Sequence, residues 1–304
     1  MDFGKVSPEK IDHINFQLPP DHPVTTQVLE AAPTPNEFRA YVGCPVWHEK
    51  SWFGKIYPFG LKEKEALPHY TEQFNTIELN TTHYQIPSDE TIERWKKAAT
   101  PGFTYCPKFP QVISHEKELL NAEEATAYFC QQILKLGEHL GISFLQMGPA
   151  YTPQKGKGLV EFFKQIPSGL SIAIEFRHAD WFNQPRIWAR TCEVVAEAGH
   201  ALVITDVSGR RDVLHQSLTI PKAVLRFVGN ELHPTDYSRT DAWIERLKTW
   251  KEAGLEEVYA FIHCGQSECA PELAAYWVEQ FNTHLKTDLK PPRFLPKVDQ
   301  MELF

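Results

Sequence analysis

A chain of 304 residues, 42% hydrophobic and 23% charged, has the composition of a globular protein large enough for one big α/β domain or two ordinary ones. Its net charge of −8 excludes a protein that coats nucleic acid through overall positive charge, although a local basic cleft is compatible with it. No apolar run reaches the roughly 18 residues of a membrane span, no basic segment precedes an apolar one at the N-terminus, and the six cysteines lack paired spacing, so a cytoplasmic protein with reduced thiols is expected.

In chain order, residues 1–36 form an extension spotted with Pro19, Pro20, Pro23, Pro33 and Pro35, which exclude long helix but little else. A β-rich run, FRAYVGC (38–44), then opens an alternation that continues through TIELN (76–80), TYCPKF (104–109), ISFLQMG (142–148), SIAIEF (171–176), ALVITD (201–206), AVLRFVG (223–229) and VYAFIHC (258–264). Between the runs lie stretches of helical composition. SDETIERWKKAA opens on Ser88 as N-cap; AEEATAYFCQQILKLGEHLG stops at Gly141 and TDAWIERLKTWKEAG at Gly254. Alternating β and α elements predict a parallel sheet. Eight units over residues 37–286 match a closed (β/α)8 TIM barrel better than an open doubly wound sheet. The first strand leads into GCPVW rather than a G-x-G-x-x-G turn, which removes the best signature of a dinucleotide fold. A proline-broken tail, 287–304, follows.

In such a barrel the carboxyl ends of the strands build the site. Polar residues gather at those ends: Glu78 and Asn80 on the second strand, Lys108 on the third, Gln146 on the fourth, Glu175 and Arg177 on the fifth with His178 and Trp181 just beyond, Asp206 on the sixth, Arg226 on the seventh, and His263 with Cys264 on the eighth. The beginnings of the same strands are mostly apolar or neutral. Period-two alternation puts Glu175 and Arg177 on one face and Phe176 on the other. Lys108, Arg177 and Arg226 are the candidate anion-holding residues, because buried cations demand carboxylates or an anionic ligand. Glu175 and Glu78 are candidate general bases, His178 a candidate general acid, and Asp206 a further catalytic candidate. Tyr84, Trp47, Trp52 and Trp181 are candidate ring-stacking residues, and Asn80 and His263 complete the substrate-binding set. Each has a plainer reading. Glu175 and Arg177 could be a structural pair plugging the barrel end, Asp206 a helix cap, and His263 a core histidine. Glu78, Glu175, Asp206, His178 and His263 are also the right residue types for Mg²⁺, Mn²⁺ or Zn²⁺, with Glu175, Asp206 and His263 the leading ligands, but no local metal-binding spacing accompanies them. Cys44 and Cys264 should end adjacent strands; inert buried thiols are the default there, a thiol nucleophile or ligand the alternative.

The blocks YVGCPVWHEKSWFGKIYP, FNTIELNTTHYQIPSDETIERW, FTYCPKFPQVISH, FLQMGP and IEFRHADWF together resemble the YecE-like family, domain of unknown function 72, in order from about residue 38 to about 285. The resemblance implies a TIM barrel and places Glu78, Tyr84, Lys108, Glu175, Arg177, His178, Trp181 and Arg226 on motif positions. Two departures are Val228, where the family has a histidine, and His263–Cys264, where it has paired asparagines.

The last residues, QMELF, are similar to the short peptide by which bacterial polymerases and repair proteins dock on the replication sliding clamp. Gln300 would make polar contacts while Met301, Leu303 and Phe304 fill apolar pockets; an apolar terminus tucked onto its own domain is the alternative. These features point to a hydrolase or phosphodiesterase-like enzyme acting on a phosphate-bearing substrate, with a nucleic-acid or nucleotide lesion as one form. A small-molecule isomerase, lyase or hydrolase of an anionic metabolite, and a non-catalytic binding module, are the other readings.

Overall fold

A computed structural model describes residues 4–32, 37–265 and 267–296. Its eight strands are β1 (Arg39–Cys44), β2 (Thr76–Leu79), β3 (Thr104–Pro107), β4 (Ser143–Gln146), β5 (Ile172–Glu175), β6 (Ala201–Asp206), β7 (Lys222–Gly229) and β8 (Glu257–Cys264). All neighbouring pairs are parallel, in the order β3-β2-β1-β8-β7-β6-β5-β4. The two ends of this order meet: Gly141 N donates to Tyr105 O at 2.8 Å and Phe109 N to Phe144 O at 2.9 Å, so backbone hydrogen bonds close the barrel beside β3 and β4. The strands are buried on both faces, which is why they read as continuous apolar runs rather than as alternating ones.

The helices are α1 (Pro8–Ile11), α2 (Pro23–Ala31), α3 (Ala66–Gln73), α4 (Asp89–Ala98), α5 (Glu123–Leu134), α6 (Lys157–Phe163), α7 (Pro185–Glu197), α8 (Pro234–Glu252) and α9 (Ala270–Leu285). Ser88 caps α4 as expected, its Oγ accepting from Thr91 N at 3.3 Å. α8 begins six residues before the apolar pattern suggests, because Pro234 takes the first helical turn and His233 Nδ1 accepts from Thr235 N. No described helix is long and apolar enough to cross a membrane.

Inside the barrel, side chains stack in layers from the amino ends of the strands upward. Tyr41 and Tyr259 stack at 4.5 Å near the base. Cys106, Phe144, Ala173, Val203, Val224 and Phe261 fill the middle. Close strand approach is also needed: a Cβ at Gly43 would lie 2.0 Å from Thr76 O, so β1 and β2 pair there only with glycine. The polar residues occupy the layer above.

The flanking segments are fastened to the outside. Gly4 O accepts from Gly209 N at the carboxyl end of the barrel, Phe16 O from Arg211, and Asp21 from Trp250 Nε1; Thr25 bonds Gln216 O and Leu218 N further on. The N-terminal segment thus runs down the wall between α7 and α8 and includes a nine-residue helix. At the other end, Leu289 N donates to Asn282 Oδ1, Arg293 N to Gln73 Oε1, and Leu295 N to Lys55 O. Through residue 296 the tail is docked on the domain instead of serving as a free linker; Gln300, Met301, Leu303 and Phe304 lie outside the described residues.

Two expectations are corrected here. Asp206 does not face the barrel mouth. Thr205 takes the inward position and Asp206 points outward, where its carboxylate pairs with Arg239 of α8 at 2.6 Å and with Arg211, and accepts from Trp243 Nε1 at 2.7 Å. Burial opposes its charge, but Arg239 and Arg211 outweigh that and hold its pKa below the ordinary value. It braces α8 against the strands rather than capping a helix. The cysteines are not all reduced: Cys264 and Cys269 form a disulfide across a short turn, with Cα atoms 5.4 Å apart. Left-handed Gly265 and Ser267 fold that turn back on itself, so Cys264 is not available as a thiol nucleophile or ligand in this state. Cys44 is a buried free thiol whose pKa burial pushes well up, which fits the inert reading.

Substituting Asp206→Ala should leave the buried Arg239 guanidinium without its closest carboxylate partner and lower unfolding free energy by about 3 kcal/mol. Urea denaturation measures this; a loss of less than about 1 kcal/mol, the range of an exposed pair, would show that the brace is not structural.

Candidate functional site at the barrel mouth

One guanidinium organises the upper layer. Arg226, on β7, donates from Nε and one terminal nitrogen to Glu78 at 2.9 and 3.0 Å, and from the other terminal nitrogen to both Glu175 oxygens at 3.2 and 2.9 Å. All three side chains are buried, Arg226 and Glu175 at 1% exposure and Glu78 at 0%. Such fork-to-carboxylate pairing is the strong form of an ion pair, because two donors and two acceptors match in one plane.

Around this centre the remaining acceptor positions are filled. Glu175 accepts from Gln146 Nε2 at 2.7 Å, Thr205 Oγ1 at 3.0 Å and Arg177 Nε at 3.1 Å. Glu78 accepts from Asn80 Nδ2 and from His263 Nε2, each at 2.9 Å. Burial alone would push both carboxyls up, but the Arg226 charge, seconded by Arg177 for Glu175 and by His263 for Glu78, reverses this. Glu175 is held at about 2 and Glu78 well below the usual carboxylate range. Carboxylates this acidic and this fully occupied are poor proton acceptors near neutral pH. The structural-pair reading of Glu175 and Arg177 therefore accounts for the geometry better than the general-base reading.

Lys108 stands apart. Its Nζ donates to Gln146 Oε1 at 2.9 Å and lies 6.0 Å from the Phe144 ring centroid, and it forms no ion pair with a carboxylate among the described residues. Burial, reinforced by the Arg226 and Arg177 charges, brings its pKa down to about 8. Two histidines complete this side of the mouth. His83 and His115 meet edge to face at 5.0 Å. Burial and the nearby Lys108 charge lower both, His83 to about 4, so they are neutral at neutral pH. His83 Nδ1 is 2.8 Å from Phe109 O, and a carbonyl only accepts, so the proton is on Nδ1 and the lone pair on Nε2. Neither histidine was among the sequence candidates. Both follow strand ends, in NTTHY and VISH, and that position is the signal that could have found them.

The other expected residues divide between rim and core. Tyr84 is 75% exposed at the rim and meets His83 edge-on. Trp47 and His178 are half-buried; His178 Nδ1 accepts from Asp180 N. Trp181 is not a stacking platform at the mouth. It is buried between Phe176 and Tyr151, centroids 4.4 and 5.8 Å away, and donates from Nε1 to Tyr151 O at 2.7 Å. Trp52 is likewise buried in the core. The three leading metal candidates do not converge: Glu175 and His263 face inward on either side of Arg226 while Asp206 faces outward, and no group of three or more His, Cys, Asp or Glu among the described residues is arranged to hold a metal ion.

The Arg226 clamp makes a specific pH prediction. In the wild type, the stability contributed by the depressed carboxylates is present above the unfolded value of about 4.3 and is lost as pH falls through the folded values. Arg226→Met should strand both carboxylates, cost about 3–5 kcal/mol at neutral pH, and show a deficit that shrinks toward about pH 5 as the stranded groups take up protons. Urea unfolding at the two pH values checks it; an unchanged deficit would contradict the clamp.

A solved DUF72 family protein from Enterococcus faecalis V583 superposes with a TM-score of 0.62 at 19% identity, covering 83% of this chain and 99% of that one, which shows the same fold. A second crystal structure of a DUF72 family protein from that strain gives a TM-score of 0.60 at 20% identity, over 86% and 100% of the two chains. The UPF0759 protein YecE of Escherichia coli K12 is 26% identical over 251 residues, covering 77% of this chain and 89% of its own. The family model described as protein of unknown function DUF72 matches residues 41–297, nearly the whole barrel and the docked tail, and the chain belongs to that family.

Proposed function

We propose that the barrel mouth is the active site of an enzyme acting on a small metabolite that carries a phosphate or carboxylate group. The observation that carries this reading is Lys108. It is a buried cation with a neutral hydrogen-bond acceptor and no paired carboxylate among the described residues, close enough to Arg226 and Arg177 for their charges to depress it. A buried cation without a directly paired carboxylate is costly, and an anionic ligand reduces that cost. Gln146 links Lys108 to the Glu175–Arg226 centre, so the ammonium is held in place before any ligand arrives.

Neutral His83 and His115 supply proton donors and acceptors beside it. Arg177 and Lys108 are less than one-tenth exposed, which favours a ligand small enough to be enclosed over a polymer such as nucleic acid. Tyr84 at the rim offers an aromatic face to whatever enters. Isomerisation, bond cleavage alongside a carbonyl and hydrolysis are all open to this set of groups; hydrolysis by a Glu175 general base is the least supported, because that carboxylate is fully engaged.

Sulfate, which keeps its charge across this pH range, is the simplest probe. Calorimetric titration should show one saturable site that is lost in Lys108→Met. Because the charged form of Lys108 disappears as pH rises through about 8, affinity should fall on the order of 10-fold between about pH 7 and about pH 9. Binding that is absent, or unaffected by Lys108→Met, would overturn the proposal.

A further inference from the structure

We propose that Lys108 is a nucleophilic amine that forms an imine with the carbonyl group of an aldehyde or ketone whose phosphate or carboxylate arm is held by the same mouth. This rests on the anion-site reading above and adds to it the reactive group and the substrate class.

Three placements support it. Lys108 is at the carboxyl end of β3, where its backbone N donates to Leu79 O at 3.1 Å and its O accepts from Thr82 Oγ1 at 2.7 Å, so the stem emerges from a fixed point. The amine donates to one neutral acceptor, Gln146 Oε1, lies 6.0 Å from the Phe144 ring centroid, and makes no direct ion pair with a carboxylate among the described residues. Burial, helped by the Arg226 and Arg177 charges and opposed by Glu78 and Glu175, brings its pKa down to about 8, so the ammonium that holds an anion is in ready exchange with the neutral amine that acts as a nucleophile. The carboxylates that would otherwise quench it are both occupied by Arg226.

The chemistry balances with groups already at the mouth. The Lys108 nitrogen lone pair forms a bond to the carbonyl carbon, and the C=O π pair moves to oxygen, which takes a proton. The nitrogen gives up its extra proton to a neighbouring base; the Nε2 lone pair of His83, whose tautomer is fixed by Phe109 O, suits that role. Protonation of the carbinolamine oxygen and departure of water then leave the C=N bond. No oxidant, reductant or metal is consumed. The resulting iminium is an electron sink for breaking a bond next to the former carbonyl carbon.

Borohydride trapping tests this. The full-length protein is incubated separately with pyruvate and with dihydroxyacetone phosphate, reduced with sodium borohydride, digested and mapped by mass spectrometry. The expected result is a reduced adduct on the peptide containing Lys108, at least 10-fold more abundant than on any other lysine peptide, and suppressed by sulfate. Lys108→Arg, which keeps the charge, should abolish the adduct while retaining sulfate binding; His83→Asn should slow adduct formation. Should either variant fail to fold, the wild-type mapping and sulfate competition still decide the matter. No adduct at Lys108 with both carbonyl probes, or labelling no greater than at surface lysines, overturns the inference. If sulfate binding persists in that case, the anion-site reading stands and only the imine is lost; if sulfate binding is absent too, both fall.

Discussion

The upper barrel depends on a guanidinium shared between two carboxylates. Glu78 and Glu175 come from strands on either side of the barrel, and neither could stay ionised in this interior alone. Arg226 satisfies both at once, with two nitrogens for Glu78 and one for Glu175, and the remaining oxygen positions are taken by Gln146, Thr205, Arg177, Asn80 and His263. Six strands are tied together by this arrangement: β2 through Glu78, β5 through Glu175, β7 through Arg226, β4 through Gln146, β6 through Thr205 and β8 through His263. Below it the barrel is filled by aromatic and aliphatic side chains, so the charged layer also marks where packing ends and the mouth begins.

A consequence for chemistry follows from the same pairing. With both carboxylates committed to Arg226, the groups left with chemical freedom are Lys108, His83 and His115. These lie on the β2–β3 side of the mouth rather than at the Glu175–Arg177 pair that is most conspicuous in the sequence. A buried amine with a lowered pKa, next to two neutral imidazoles, is a different kind of centre from a carboxylate pair.

Much of this was legible in the chain. The eight strands fall within one or two residues of the expected runs, because buried parallel strands are short, apolar and bounded by turn residues. Alternation correctly put Glu175 and Arg177 on one face. The same rule could not place Asp206. A parallel strand apolar on both faces carries no mark of which parity looks inward, and in β6 Thr205 takes the inward position. Trp181 was misread for a related reason: an aromatic residue just past a strand end can turn up to the mouth or out to the helices, and the pocket made by Phe176 and Tyr151 decides it. The Cys264–Cys269 pair was hidden because its spacing matches no recurrent motif and depends on two left-handed residues in the turn. Resemblance to the YecE-like family implied the same barrel that the alternation predicts and marked several residues of the site. The hydrogen bonds that distinguish clamp from free group exist only in three dimensions.

The protonation state of one amine decides whether the mouth awaits an anion. A nuclear magnetic resonance titration of the Lys108 side chain, assigned by comparison with Lys108→Arg, reads it directly in the unliganded protein. The structure predicts a midpoint near 8, moving upward when sulfate is added. A midpoint at the ordinary lysine value of about 10.4, unmoved by sulfate, would mean that Lys108 already has a counter-charge and that the mouth does not await an anion.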